Sequence, residues 1–250
     1  MTSRLIWIGL GVLLAGAPAV QAAPASPFDL PLKTVKVPLP RDPDNPRSRP
    51  KVTCAYYRDF MVKEVDLGEE GADQLSILPN PAATCQRANA KGEKVISASD
   101  WSGYFGGARG GYVVFTGDDG WNGGMGFAVF DAHSGRKLFE DAYKTRFKAL
   151  DATPGSLVLK YRRVYAAKCS LQADSSGCWG AIRRETGLEG ARGPDCSADY
   201  AREARRTPKF AAQVRNDPTV VEYDVTVAIQ AGHAAFHPAP GLAPTCHLAD

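Results

Sequence analysis

The most restrictive feature of this sequence is the stretch 101–143, because ten of the chain's 25 glycines fall between Trp101 and Gly126. Glycine inside a regular element costs roughly 0.5–1 kcal/mol relative to alanine, so the concentration implies tight turns at positive φ or close approach of other groups to bare backbone. Within this stretch, residues 112–115 (YVVF) and 127–130 (FAVF) are apolar at both parities, the pattern of strands covered on both faces. Between them lies Gly117-Asp118-Asp119-Gly120-Trp121-Asn122-Gly123-Gly124. After them Asp131-Ala132-His133-Ser134-Gly135 turns the chain into a third strand over 136–140. Three antiparallel strands joined by turns are therefore expected.

Arg4, an apolar run over 5–15 and small residues ending in Val20-Gln21-Ala22 have the form of a secretory signal peptide, expected to be cut after Ala22. The run is too short to cross a bilayer, and no later segment holds the ~20 apolar residues of a membrane helix, so no membrane span is expected. The leader carries one base, Arg4, and the whole chain has a formal charge of +3, so the remainder is near neutral. Nucleic acid is accordingly not an expected partner. Residues 160–215 hold twelve Lys or Arg against six Asp or Glu, which reads as solvated surface.

Six cysteines fit the oxidising compartment that export implies, periplasmic or secreted. Sequence alone leaves their pairing open; pairing of neighbours in chain order is expected, Cys54 with Cys85, Cys169 with Cys178 and Cys196 with Cys246. Metal ligation by cysteine is not expected, because there is no Cys-x-x-Cys pair.

Residues 23–50 contain eight prolines and read as an extended lead-in, in which only 33–37, with Val35 and Val37, has the alternation of an edge strand. Residues 51–250 read as a single disulfide-stabilised, β-rich domain. Strands are expected over 52–66 (one long or broken), 74–78, 94–97, 157–167 and 219–229. Helices are expected over 179–186, ending at Gly187, over 198–206 with Ser197 as N-cap, and for a turn from Pro208 toward Arg215. The tail from Ala231 reads as irregular. The fold class is mainly β (α+β): antiparallel sheet, sandwich-like or curled, with one to three short helices in the C-terminal third.

Residues 127–139, FAVFDAHSGRKLF, place Asp131 after an apolar strand and Ser134-Gly135 before Arg136 and Phe139. This resembles the strand-turn-strand core of a quinoprotein-type β-propeller repeat, with Phe139 where that family prefers Trp. The resemblance implies a hairpin whose turn Asp131 caps while Gly135 takes positive φ. A single copy implies neither a propeller nor a quinone cofactor. The wider stretch is similar to bacterial exported proteins that carry no assigned activity, a similarity that assigns no residue a role.

Asp118, Asp119 and Asn122 offer oxygen ligands for calcium but lack the alternating spacing and distal Glu of an EF-hand, and a turn is the preferred reading. No metal or other cofactor is expected. Glu140 and Asp141 are adjacent on a strand and face opposite ways, which weighs against an acid/base pair. His233 and His237 have helical zinc spacing, yet Gly232 and Pro238 flank them; His133 and His247 are isolated. There is no Gly-x-Ser-x-Gly elbow. Of the aromatics Trp101, Tyr104, Phe105, Tyr112 and Trp121, only Trp121 sits among turn residues and is expected at the surface. The candidate ligand-binding set is therefore Arg109, Asp118, Asp119, Trp121 and Asn122. The sequence favours a non-catalytic binding or envelope-associated module, with a glycan or protein as partner. The alternative is a hydrolase of a periplasmic or extracellular polymer whose acids converge from separate strands.

Overall fold

Alternating polarity and closely spaced turns produce two open antiparallel sheets in the computed structural model, which describes residues 26–240 and 243–249. The leader expected over 1–22 lies outside the described residues. The first sheet is a meander of β1 (Lys33–Pro38), β2 (Lys51–Tyr56), β3 (Met61–Asp66), β4 (Gln74–Leu78) and β5 (Lys94–Ile96). The second runs β6 (Tyr104–Arg109), β7 (Tyr112–Trp121), β8 (Gly124–Asp131), β9 (Lys137–Thr153), β10 (Ser156–Ala166), β11 (Thr219–Gln230) and β12 (His233–Pro238), with β13 (Thr245–Leu248) also paired to β11. The expected strand over 52–66 is broken into β2 and β3 by a tight turn closed by Tyr57 N–H donating to the Phe60 carbonyl at 2.9 Å.

The two apolar runs that mark the glycine-rich stretch are buried on both faces, as their parity requires. Val113, Phe115, Ala128 and Phe130 point at the first sheet and meet Ala55, Val62, Leu75 and Ile77. Val114, Phe127 and Val129 point the other way, into the larger cluster with Phe147, Leu159, Tyr161, Val225 and the helices. Phe127 is the hub of that side, with the Phe147, Tyr161, Tyr143 and Phe139 rings at centroid distances of 4.8, 5.3, 5.6 and 5.8 Å. The outer face of the first sheet is covered by the 79–93 loop, pinned by the Cys54–Cys85 disulfide and by Lys63, whose buried ammonium lies 2.6 Å from Glu93.

Two expectations change. The strand begun at 136–140 continues to Thr153, because β-bulges let β9 bend while keeping apolar residues inward. Tyr161 pairs with Phe147 while Lys160 pairs with Ala149, leaving Lys148 extra. The tail is not irregular, since the twelve-residue β11 offers ladder positions to both β12 and β13. Pro238 falls at the end of the edge strand β12, where a missing donor is tolerated.

The proline-rich lead-in is also more than a spacer. Asp29 N–H donates to the Ala108 carbonyl on the edge strand β6 (2.8 Å), and Leu32 N–H to the Tyr56 carbonyl on β2 (2.7 Å), so 28–32 straps the two sheets together. A Cβ on Gly107 would lie 2.4 Å from the Phe28 ring; only glycine at this position, with φ +149°, leaves room for that strap.

Three short helices lie C-terminal to β10. In α1 (Ser175–Thr186), Asp174 caps the start by accepting from Gly177 N–H (2.9 Å), and Gly187 closes the end at φ 72°. The helix thus begins inside the Cys169–Cys178 loop. In α2 (Ser197–Arg206), Cys196 rather than Ser197 occupies the cap position, and Ser197 is the first helical residue. A 3-10 turn at Pro208–Phe210 leads into α3 (Ala211–Val214).

Candidate functional site

Asn122 and Gly123 form the turn between β7 and β8 with φ 52° and 68°, the doubly positive pair of a type I′ hairpin, for which Asn-Gly is the preferred sequence. Asp118 and Asp119 are therefore on the ribbon and not in its turn. Thr116 pairs with Phe127 and Gly120 with Met125, so residues 117–119 together oppose Gly126 alone. This bulge turns the Asp118 carboxylate toward the first sheet, where it lies 3.5 Å from the Ser102 hydroxyl and against Gly71. Trp121, at 72% exposure, stands on the solvent side of the tip. Trp101 and Phe105 pack against the inter-sheet core and Tyr112 belongs to the helix-side core.

Arg109 does not join this group. It ends β6, paired with Tyr112 at the far end of β7 and bound to Asp29 at 2.8 Å. Nine strand residues, about 30 Å, separate that end from Trp121.

The hairpin tip instead meets a cleft of about 730 Å³ that the sequence did not foreshadow. Gly123 and Lys144 form one wall, α2 with Arg202 and Arg206 a second, and Phe210 with His247 completes it. The Cys196–Cys246 disulfide ties the start of α2 to β13, and Asp199 accepts from Leu248 N–H at 2.9 Å, so two walls are fixed to each other. A Cβ on Gly123 would come within 2.9 Å of the Lys144 ammonium, so the turn glycine lets the tip rest on β9. Gly124 is buried under Val164, anchoring the ribbon below.

Beneath the cleft, Glu222 gathers basic side chains. The Lys144 ammonium lies 2.7 Å away, Arg162 Nε 3.2 Å and His247 Nε2 3.4 Å. Burial by itself raises the Glu222 carboxyl, but hydrogen bonds from Lys144 and Arg162, with His247 beyond, hold it below the ordinary carboxylate value. His247 Nδ1 is 2.7 Å from the Leu248 carbonyl. Around the rim, Arg202 pairs with Asp199 and Arg206 with Glu203. The result is a polar surface of mixed sign with donors and acceptors side by side.

A second polar cluster lies on the inner face of the curled sheet. Arg163 Nε is 2.9 Å from Asp141, its Nη1 donates to the Tyr223 hydroxyl at 2.8 Å, and its guanidinium lies 4.2 Å over the Phe236 ring. The Tyr161 hydroxyl donates to Asp141. Burial raises the Asp141 carboxyl despite Arg163 and Tyr161. Glu140, its neighbour, faces outward and pairs with Lys137 at 2.8 Å, so the two acids are separated by the strand. Glu64 on β3 is likewise raised by burial and accepts from Phe105 N–H at 2.8 Å. Neither raised carboxyl lines the cleft.

His233 and His237 lie on β12, about 13 Å apart along the strand, and His133 is exposed in the β8–β9 turn. Among the described residues there is no group of three or more His, Cys, Asp or Glu placed to hold a metal ion, and no helix is long and apolar enough to cross a membrane. In the β8–β9 turn Asp131 accepts from Ser134 N–H at 2.7 Å, and Gly135 has φ 72°. Comparison with protein-family models, with curated proteins and with solved structures returned no match.

Proposed function

We propose that this chain is an exported, non-catalytic binding module of the cell envelope whose ligand, a glycan strand, lies in the cleft between the β7–β8 tip and α2. The observation that carries the reading is the pairing of aromatics with that cleft. Of five exposed large apolar side chains among the described residues, Phe210 lines it and Trp121 stands on the hairpin whose Gly123 lines it. Sugar rings stack on exposed aromatic faces, and their hydroxyls take the alternating donors and acceptors that Arg202, Asp199, Arg206 and Glu203 supply. Export is supported by three disulfides with no free cysteine among the described residues, and by the leader pattern. A binding role is favoured over the hydrolase alternative because the two carboxyls raised by burial, Glu64 and Asp141, are engaged elsewhere and lie on different sheets.

The test is co-sedimentation with purified peptidoglycan, alongside a fluorescence titration with its soluble fragments. Binding is expected to change the Trp121 emission, and Trp121→Ala and Phe210→Ala are each expected to weaken it by about tenfold or more, the scale of losing a buried aromatic anchor. Unaltered affinity in both variants, or failure of the wild type to sediment, refutes the assignment. Release of new reducing ends from the polymer would revive the hydrolase.

A further inference from the structure

We propose that the β1 edge of the first sheet is a peripheral membrane-docking surface for anionic phospholipid, separate from the cleft. Leu30 and Leu32, just ahead of β1, are the two most exposed large apolar side chains among the described residues, at 85% and 76%. Past them, β1 and the start of β2 enclose an apolar groove of about 280 Å³ with Pro38, Leu39 and Pro50 as its floor. Lys36, Arg41, Arg49 and Lys51 rim that groove, and no carboxylate among the described residues lines it.

The rim is not simply a solvated charge run. The Arg49 guanidinium is fixed by three carbonyls of its own loop, donating to Ser48 at 3.0 Å, Arg47 at 3.2 Å and Pro46 at 3.5 Å. Among the described residues, Lys51 is the one rim cation in an ion pair, with Asp66. The nearby Asp42 carboxylate is occupied in its own turn, accepting from Asp44 N–H at 2.9 Å. Lys33 is turned to the other face, 4.2 Å over the Tyr56 ring.

Leu30 and Leu32 ahead of β1 and the cations farther along it, Lys36 about 13 Å beyond Leu32 and Arg41 farther still, share one edge and match a bilayer interface running along that edge, where the headgroups are anionic and the acyl boundary lies a few ångströms deeper. They fit an acidic peptide less well, because Leu30 and Leu32 do not line that groove and are exposed. Pro31, Pro38 and Pro40 also limit strand addition at this edge.

The test uses the disulfide-intact chain with vesicles of phosphatidylcholine alone and vesicles that also contain phosphatidylglycerol. Flotation is expected only with phosphatidylglycerol, and it is expected to fall as salt rises. Each Lys or Arg near an anionic surface contributes about a fivefold gain in partitioning, so the double variant K36Q/R49Q is expected to lose about twenty-five-fold. The pair L30A/L32A is expected to lose about tenfold or more from reduced insertion. An unchanged thermal melt verifies that each variant is folded, and Phe210→Ala, which alters the cleft, is expected to float like wild type. Equal flotation with both lipids, no flotation, or insensitivity to both double variants overturns the proposal. So does release of the chain by millimolar glycerol phosphate, which would mark a discrete anion pocket, or retention on immobilised polyglutamate without vesicle binding, which would mark an acidic protein partner.

Discussion

Replacing Lys63 with methionine isolates the most deeply buried ion pair described. Its side chain and that of Glu93 are each 1% exposed, with 2.6 Å between the ammonium and the carboxylate. The same ammonium donates to the Arg87 carbonyl at 3.4 Å and to the Ala88 carbonyl and Asn89 Oδ1 at 3.3 Å, so one cation fastens β3 to the loop that covers the outer core. Removing one partner of such a pair costs about 3–5 kcal/mol, chiefly because the other charge is left buried. Glu93 keeps donors in Ala90 N–H at 2.7 Å and Gln74 Nε2 at 3.0 Å, which places Lys63→Met toward the lower end, about 3 kcal/mol. In a chain of this size that corresponds to a Tm lower by about 6–12 °C. The assay is urea unfolding with the disulfides intact, compared across pH.

In the wild type, burial raises the Glu93 carboxyl, but Lys63 and Ala90 outweigh it and the net shift is downward. A depressed carboxyl contributes stability above its unfolded value, near 4.3, and that contribution is lost as pH falls through the folded value. Without Lys63, burial dominates and Glu93 prefers its proton, so the deficit is expected to be full at neutral pH and to shrink below about pH 4. A companion K63M/E93Q variant is expected to recover part of the loss, since neither charge remains. A Lys63→Met midpoint within about 0.5 kcal/mol of wild type, or strict additivity in the double variant, refutes the argument.

Asp141→Asn leaves Arg163 buried against Tyr223 and Phe236 without its carboxylate, and a loss of about 3 kcal/mol in urea unfolding is expected. Gly107→Ala puts a methyl group into the Phe28 ring, so the strap is expected to detach and become sensitive to limited proteolysis near residue 28 while the remaining core keeps its near-ultraviolet dichroism. Substituting both Cys196 and Cys246 with serine opens a loop of 50 residues, which on the chain-entropy model lowers stability by about 4 kcal/mol. The same change frees α2 from β13, so binding at the cleft is expected to weaken in a titration even under conditions where the variant is fully folded.

How far the sequence could be read follows from where periodicity survives. Residues 112–115 and 127–130 announce a doubly covered strand pair because consecutive residues there are apolar, and each parity serves a different core. The second half of β9 is opaque for the opposite reason. Tyr143 and Phe147 share a parity, but Leu150 and Ala152 are on the other, because Lys148 is bulged out between them. A bulge preserves the inward face in space while erasing it from the alternation. The tips of β12 and β13 are hidden similarly, since alanines and prolines signal little until β11 supplies a ladder.

A turn between the two apolar runs was legible, and Trp121 from its polar neighbours, but the turn lies at Asn122-Gly123 and not at Asp118 and Asp119, which a bulge keeps on the ribbon. The cleft was not, because Gly123, Lys144, Arg202, Phe210 and His247 converge only after β9 crosses between β8 and β10 and Cys246 is fastened to Cys196. The one local trace of it was the pairing of those last two cysteines, which brackets α2, α3 and the strands that follow. A disulfide joining a helix start to a distant edge strand brings together two surfaces that share no sequence pattern. That is why the charge excess over 160–215, solvated as expected, gave no sign that Arg202 and Arg206 also form one wall of the cleft.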